Sequence, residues 1–334
     1  MIWVNCRSAW ILASLLAFSG VAGSQTAAVA TIGGERNTGA ELAKITDVAV
    51  LPRLLVVLDR GDPYLKVFDH TGRLLQALGR RGSGPGEFRS PTAVRYDSQR
   101  QKLYVVDVSN ARVTEYLAED TLRFSRALPT DVVNMVDLCV LRGRLFGLAR
   151  SGNRLLRELV ESGGRLSVRK SFGLLRSGHP LAAHPILQSY VADGRMFCDD
   201  ATTRIYVASR LLGEIHDIHA DTEEQQTVAI HDFRPIQLET VKGLGLSLGM
   251  PASGFYEALV GITPATNGVS IVISRHENGD EITAYSLVNL PRSGGQGPRQ
   301  PQHWQRIDTV GSLTVCIMND PYPTVSLFHA NACP

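Results

Sequence analysis

Hydrophobic positions fall in short runs separated by polar turns. "LLVVLDRGDPYLKVFDHTGRLLQALG" (Leu54–Gly79) holds an apolar run, an Asp, a tight polar turn, an alternating run, a second turn and a third run. "KLYVVDVSNARVTEYLAEDTLRFSRAL" (Lys102–Leu128) repeats that order. β-Branched and aromatic residues between Gly, Asn and Asp turns predict consecutive antiparallel strands. Weaker copies follow at Leu145–Gly173, Arg204–Phe233 and Val269–Asn289, and the last is "LTVCIMNDPYPTVSLF" (Leu313–Phe328). In that last copy Asp320-Pro321-Tyr322 echoes Asp62-Pro63-Tyr64. The six units are spaced by about 45 to 65 residues, which suits four-stranded blades of a β-propeller.

Shifting the chain by 46 positions lays Thr31–Val50 on Ala77–Tyr96. Gly33 meets Gly79, Glu41 meets Glu87, Leu42 meets Phe88 and Thr46 meets Thr92. The N-terminal copy matches the last strand of a unit, yet no unit precedes it, and the final unit lacks that strand. Pairing a strand at about Ala27–Ile32 into the C-terminal blade would close the ring and remove two exposed edges. The expected fold class is therefore all-β, a six-bladed propeller of four-stranded antiparallel blades closed in this way.

The glycine-rich stretch "GRRGSGPGEFRSPTAVRYD" (Gly79–Asp97) is punctuation between blades. Glu87 stands where a dinucleotide loop needs its last Gly, and no Gly-Lys-Ser/Thr follows. The stretch leads into a strand, whereas a phosphate loop opens a helix. Gly79, Gly82, Gly84, Gly86, Phe88 and Pro91, followed by Asp107, Asn110, Arg112 and Val113, resemble an NHL-type repeat. The resemblance spans about residues 45–116 and is faint afterwards, with the third, fourth and fifth units furthest from the pattern. It is similar to the exported bacterial six-bladed propellers of the NHL/TolB-like group. That likeness implies a six-bladed propeller for which binding is the commonest role.

The N-terminus "MIWVNCRSAWILASLLAFSGVAGSQ" has one positive charge, an apolar stretch from Trp10 to Phe18, then small residues. This is the order of a secretory signal peptide, here residues 1–23, with cleavage after Ala30 as the alternative, and the stretch is too short to span a bilayer comfortably. The remaining residues 24–334 are expected to form a single propeller domain, secreted or periplasmic, monomeric and without a membrane span. Cys139, Cys198, Cys316 and Cys333 then permit two disulfides, with three possible connectivities. The chain carries 34 Lys and Arg against 32 Asp and Glu, a net charge of +2. Such a balance gives no reason to expect nucleic acid as a partner.

The candidate chemistry is sparse. Arg80, Arg81, Glu87, Arg89 and Arg95 lie on or beside one inter-blade loop, and are expected to share a propeller face that receives an acidic ligand or partner. Asp59 and Asp107 each end an apolar run, and are read with Asn110 and Arg112 as turn-bracing groups. His216 and His219 are an odd offset apart on a predicted strand and face opposite ways. His179 and His184 sit in a Pro-containing loop, and His231 in a polar cluster with Asp232 and Arg234. No HExxH or CxxC motif occurs, so no cofactor is expected, with zinc or calcium at converging channel histidines left open. Ser247 in "GLGLSLGM" lacks the nucleophile elbow and is read as a loop residue. "LPRSGGQGPRQPQHW" (Leu290–Trp304) is read as a long surface loop. The favoured function is a binding or scaffold module for a protein, peptide or carbohydrate, through the loop face or the central channel. The alternative is a channel-sited hydrolase or lyase, lactonase-like or metal-dependent.

Overall fold

The computed structural model describes residues 27–34, 41–150, 152–175, 192–241, 245–278, 281–310, 313–319, 322–329 and 333. The predicted signal segment, His179, His184, Asp320 and Pro321 lie outside these residues. Six four-stranded antiparallel sheets form the blades. The chain enters through β1 (Ala30–Gly33). Blade 1 follows as β2 (Ile45–Val50), β3 (Leu54–Asp59), β4 (Leu65–Asp69) and β5 (Leu74–Leu78). Blade 2 is β6 (Pro91–Asp97), β7 (Lys102–Asp107), β8 (Arg112–Ala118) and β9 (Leu122–Pro129). Blade 3 is β10 (Met135–Leu141), β11 (Arg144–Ala149), β12 (Arg154–Ser162) and β13 (Arg165–Leu174). Blade 4 is β14 (Gly194–Asp199), β15 (Arg204–Ser209), β16 (Glu214–His219) and β17 (Gln225–Ala229). A hairpin, β18 (Gln237–Val241) and β19 (Gly245–Gly249), precedes blade 5. Blade 5 is β20 (Phe255–Ala265), β21 (Gly268–Glu277), β22 (Glu281–Pro291) and β23 (Gln300–Gln302). Blade 6 is β24 (Arg306–Val310), β25 (Leu313–Met318) and β26 (Thr324–Phe328).

Strand β1 completes blade 6, with Ala30 opposite Leu327 and Ile32 opposite Val325. It starts three residues later than the pattern suggested. The buried side chains of Ala30 and Ile32 join a cluster that also takes Val48 and Val50 of blade 1 and Val315 and Ile317 of blade 6. The closing strand thus cements the seam between first and last blades. Similar clusters fill the junctions of blades 1 with 2, 2 with 3, 3 with 4 and 4 with 5. Outer strands such as β5 and β17 bury none of their residues, but the second strand of each blade buries both faces of its middle residues, as in β3, where all six residues are buried. That is why these strands read as continuous apolar runs.

Two expected loops need correction. Ser247 belongs to strand β19, paired with Glu239, because alternating Leu246 and Leu248 form a ladder with β18. Residues 290–304 are not all loop. They contain β23, which gives blade 5 its outer strand by pairing with β22.

Two disulfides are present. Cys139–Cys198 ties β10 of blade 3 to β14 of blade 4. Cys316–Cys333 fastens the C-terminal tail to β25.

Candidate functional site

The inner strands of blades 1, 2, 3 and 5 each carry a bulge, at the second residue of β2, β6 and β10 and midway along β20, which skips Thr46, Thr92, Val136 and Val260 in the ladder. A bulge re-aims the backbone and side chain of the extra residue. Here all four bulge residues line one cavity of about 540 Å³ at the end of the channel where the inner strands begin. We call this the upper mouth. Blade 4 has no such bulge. Its Arg195 instead crosses the channel and donates from Nη1 to the Thr92 carbonyl at 3.1 Å and from Nη2 to the Thr46 carbonyl at 3.3 Å.

Beneath that strut lies a second. Asp47 and Asp137 follow the bulges of blades 1 and 3 and are fully buried. Asp47 accepts from the amides of Val48 and of Val94 in the next blade, at 2.8 and 3.0 Å. Asp137 repeats this on Leu138 and Met196, at 2.8 and 3.0 Å. Arg95 donates to both carboxylates, at 2.5 Å to Asp47 and 2.6 Å to Asp137. Below it the channel opens into a cavity of about 370 Å³ lined by Val50, Val94, Tyr96, Phe197, Ile262 and the Cys139–Cys198 bridge.

Arg95 is therefore not a rim residue, which corrects its expected place beside Arg80, Arg81 and Arg89. It sits inside the ring because β6 turns its side chain toward the channel. The other four stay together. Arg80, Arg81 and Arg89 are exposed on the 79–90 loop. Glu87 accepts from Arg80 Nε at 2.7 Å and from the Gly84 amide at 2.8 Å, and these contacts hold its carboxyl below the ordinary range.

Asp59 and Asp107 anchor their inter-blade loops. Asp107 accepts the amides of Arg89 and Ser90 and the Asn110 side chain. Arg112 donates to the carbonyls of Ser83, Gly84 and Glu87. Asp59 accepts the amides of Ala43 and Lys44, and Lys66 at 2.6 Å. Burial pushes the Asp59 carboxyl up, but Lys66 and those amides outweigh it and hold it below the ordinary value.

The residue after the second strand is an arginine in blades 1, 3 and 4, whereas blade 2 has Val108 there. The amides of Arg60, Arg150 and Arg210 donate to the carbonyls of Lys44, Asn134 and Asp193, just ahead of each inner strand. The three arginines thus occupy equivalent places in blades 1, 3 and 4, and all three line the upper mouth. Lys44 and Arg195 add two more cations to its wall, against the carboxylates of Asp193 and Glu281. Asp193 pairs with Arg150 at 2.8 Å and Arg210 at 3.6 Å. Two donors on this wall, Arg150 Nε and Thr92 Oγ1, are buried with no hydrogen-bond partner among the described residues. Buried donors without acceptors are rare and call for an explanation.

None of these cavity residues was singled out from the sequence. The signal was present in "LDR", "LAR" and "ASR", the same apolar run closed by Arg in three units. A fourth instance, Arg275 in "ISR", is a false match. Strand β21 runs on to Glu277, so Arg275 pairs with Glu277 and lies over the Phe255 ring, and His276 lines the cavity instead.

The described histidines hold separate partners. His216 is buried, linked through Nε2 to Ser209 and through Nδ1 to Thr227, both at 3.0 Å. Burial pushes its pKa down to about 4. His276 stacks on Tyr256 and contacts Ser274 at 2.7 Å. Exposed His231 pairs with Asp232 at 2.7 Å. Among the described residues, no three His, Cys, Asp or Glu side chains form a metal-ligand cluster.

Comparison with known proteins agrees with this architecture. A family model described as a 6-bladed beta-propeller matches residues 30–144. No curated protein matches the chain. Among solved structures, an exported protein of Bacteroides fragilis superposes with a TM-score of 0.57 at 12% identity, covering 92% of this chain and 95% of its own. The U3-55K structure gives a TM-score of 0.55 at 13% identity, covering 91% and 99%. Virginiamycin B lyase from Staphylococcus aureus gives 0.50 at 10% identity, covering 85% and 94%. At such identities the likeness is one of fold.

Proposed function

We propose that this protein is an exported binding module whose ligand enters the upper mouth of the channel and carries anionic groups. The observation that carries this reading is the convergence of Arg60, Arg150 and Arg210, from equivalent places in three blades, on one cavity. A cleft lined by one sign of charge focuses its field and concentrates ligands of the other sign. Arginine suits planar anions because its fork of N–H donors matches a carboxylate. The exposed arginines of the 79–90 loop belong to the same face, since Asp107 and Arg112 tie that loop to the turn that closes β7. An acidic peptide or an acidic sugar meets this chemistry. Export is supported by the two disulfides, which persist in oxidising compartments.

The test is calorimetric titration of the mature protein with citrate, with pyrophosphate and with an oligogalacturonate, at low and at physiological salt. We expect binding that weakens with salt. The double variant Arg60→Gln/Arg210→Gln should lose roughly tenfold or more in affinity, the size of losing charged hydrogen bonds. It should unfold at the same temperature as the wild type. Equal affinity in the variant would place the ligand elsewhere.

A further inference from the structure

Arg150 and Asp193 make an incomplete pair. One Asp193 oxygen meets Arg150 Nη2 at 2.8 Å, while its other oxygen lies 3.6 Å from Arg210. The adjoining donor on the same guanidinium edge, Arg150 Nε, is buried and has no partner among the described residues. A carboxylate facing that edge squarely would take Nε and Nη2 together, in the two-bond arrangement that makes arginine–carboxylate pairs strong. Asp193 does not reach it. Its backbone carbonyl is fixed by the Arg210 amide at 2.9 Å, and the next residue, Gly194, begins the inner strand β14. The carboxylate is thus tethered one bond short of the better geometry.

We propose that Asp193 is a resident stand-in for the ligand, and that an incoming carboxylate displaces it to take the Nε–Nη2 edge of Arg150 beside Arg210. This rests on the reading of the upper mouth as an anion site and narrows the ligand to one bearing a carboxylate. The unpartnered Thr92 hydroxyl, on the same wall, is a second donor for its other acceptors. The internal carboxylate competes with the ligand and keeps the arginines neutralised while the mouth is empty. It also discriminates. A ligand must gain more from the two-bond contact than the protein loses by releasing Asp193, so ions that bind by charge alone gain little.

The experiment is calorimetric titration of full-length mature protein with citrate and, separately, with chloride as a charge-only control. Three proteins are compared: wild type, Asp193→Asn and Asp193→Asn/Arg150→Gln. Removing the competing charge should tighten citrate binding roughly twofold to fivefold, the scale of a partly screened ion pair. The gain should vanish in the double variant, and the chloride response should rise in Asp193→Asn relative to wild type. If the wild type binds citrate and Asp193→Asn binds it equally or more weakly, Asp193 belongs to the cradle and the displacement idea falls, while the anion site stands. If citrate binds none of the three proteins, the anion site itself falls. Thermal unfolding of each variant separates a lost site from a lost fold.

Discussion

Single residues inside this ring are held by pairs that fail in a predictable direction. Arg95 is 15% exposed and serves two carboxylates that are fully buried. Removing it takes away the guanidinium that both buried carboxylates share. Arg95→Met should therefore cost about 3–5 kcal/mol, the range for breaking a buried pair on one side. Urea unfolding at pH 7 would measure it, and a loss below about 1 kcal/mol would show that the backbone amides alone satisfy the two carboxylates. His216 gives a pH dependence of opposite chemistry. Its folded pKa of about 4 lies below the ordinary 6.5, because burial disfavours the charged ring. The unfolded chain then binds the proton more readily between those values. The contribution to stability is complete above pH 6.5 and drains away as pH falls toward about 4. Between pH 7 and pH 5 the wild type should lose about 2 kcal/mol more than His216→Gln, measured by urea unfolding at both values.

At the scale of elements, the strands were legible because the inner ones are apolar runs buried on both faces that end at turns. The 46-residue offset exposed the closing strand, since Gly33 and Gly79 share the left-handed backbone that ends a last strand, with φ of 80° and 77°. A side chain at Gly33 would also run into the Pro323 carbonyl, 2.3 Å from the added carbon. What the pattern did not carry was the β18–β19 hairpin, because a lone two-stranded insertion belongs to no repeat. Deleting residues up to 33 should strip Ala30 and Ile32 from the seam and expose the β26 edge. Such a protein should melt well below the wild type and associate through that edge, as sedimentation would show. The disulfides should differ in weight. Cys139–Cys198 closes a separation of 59 residues and Cys316–Cys333 one of 17. Loop-closure entropy assigns about 4 kcal/mol to the longer and about 3 kcal/mol to the shorter. Paired Cys→Ser variants unfolded in urea should therefore rank in that order.

For the whole molecule, the ring was easier to read than its centre. A blade repeats, so its signals add across six copies. A channel site is assembled from one residue per blade, so its members stand far apart and each looks ordinary. Arg60, Arg150 and Arg210 follow three different residues, Asp59, Ala149 and Ser209, and only their shared place in the repeat relates them. Arg195 lacks even that relation, because blade 4 alone lacks the bulge among the first five blades. It nonetheless links blade 4 to blades 1 and 2 across the axis. A ring held only by neighbouring blades would transmit a local defect step by step around its circumference. The Arg195 strut offers a direct route. Replacing Arg195 with Ala removes two hydrogen bonds to the Thr46 and Thr92 carbonyls, a loss of about 1–3 kcal/mol. Hydrogen exchange should then quicken at the start of β2 and β6, although the substitution lies in blade 4. Blade 5, adjacent to blade 4 and untouched by the strut, should be slower to respond than blades 1 and 2. Exchange that quickens first in blades 3 and 5 would mean that the ring is coupled around its rim and that the strut carries no mechanical weight.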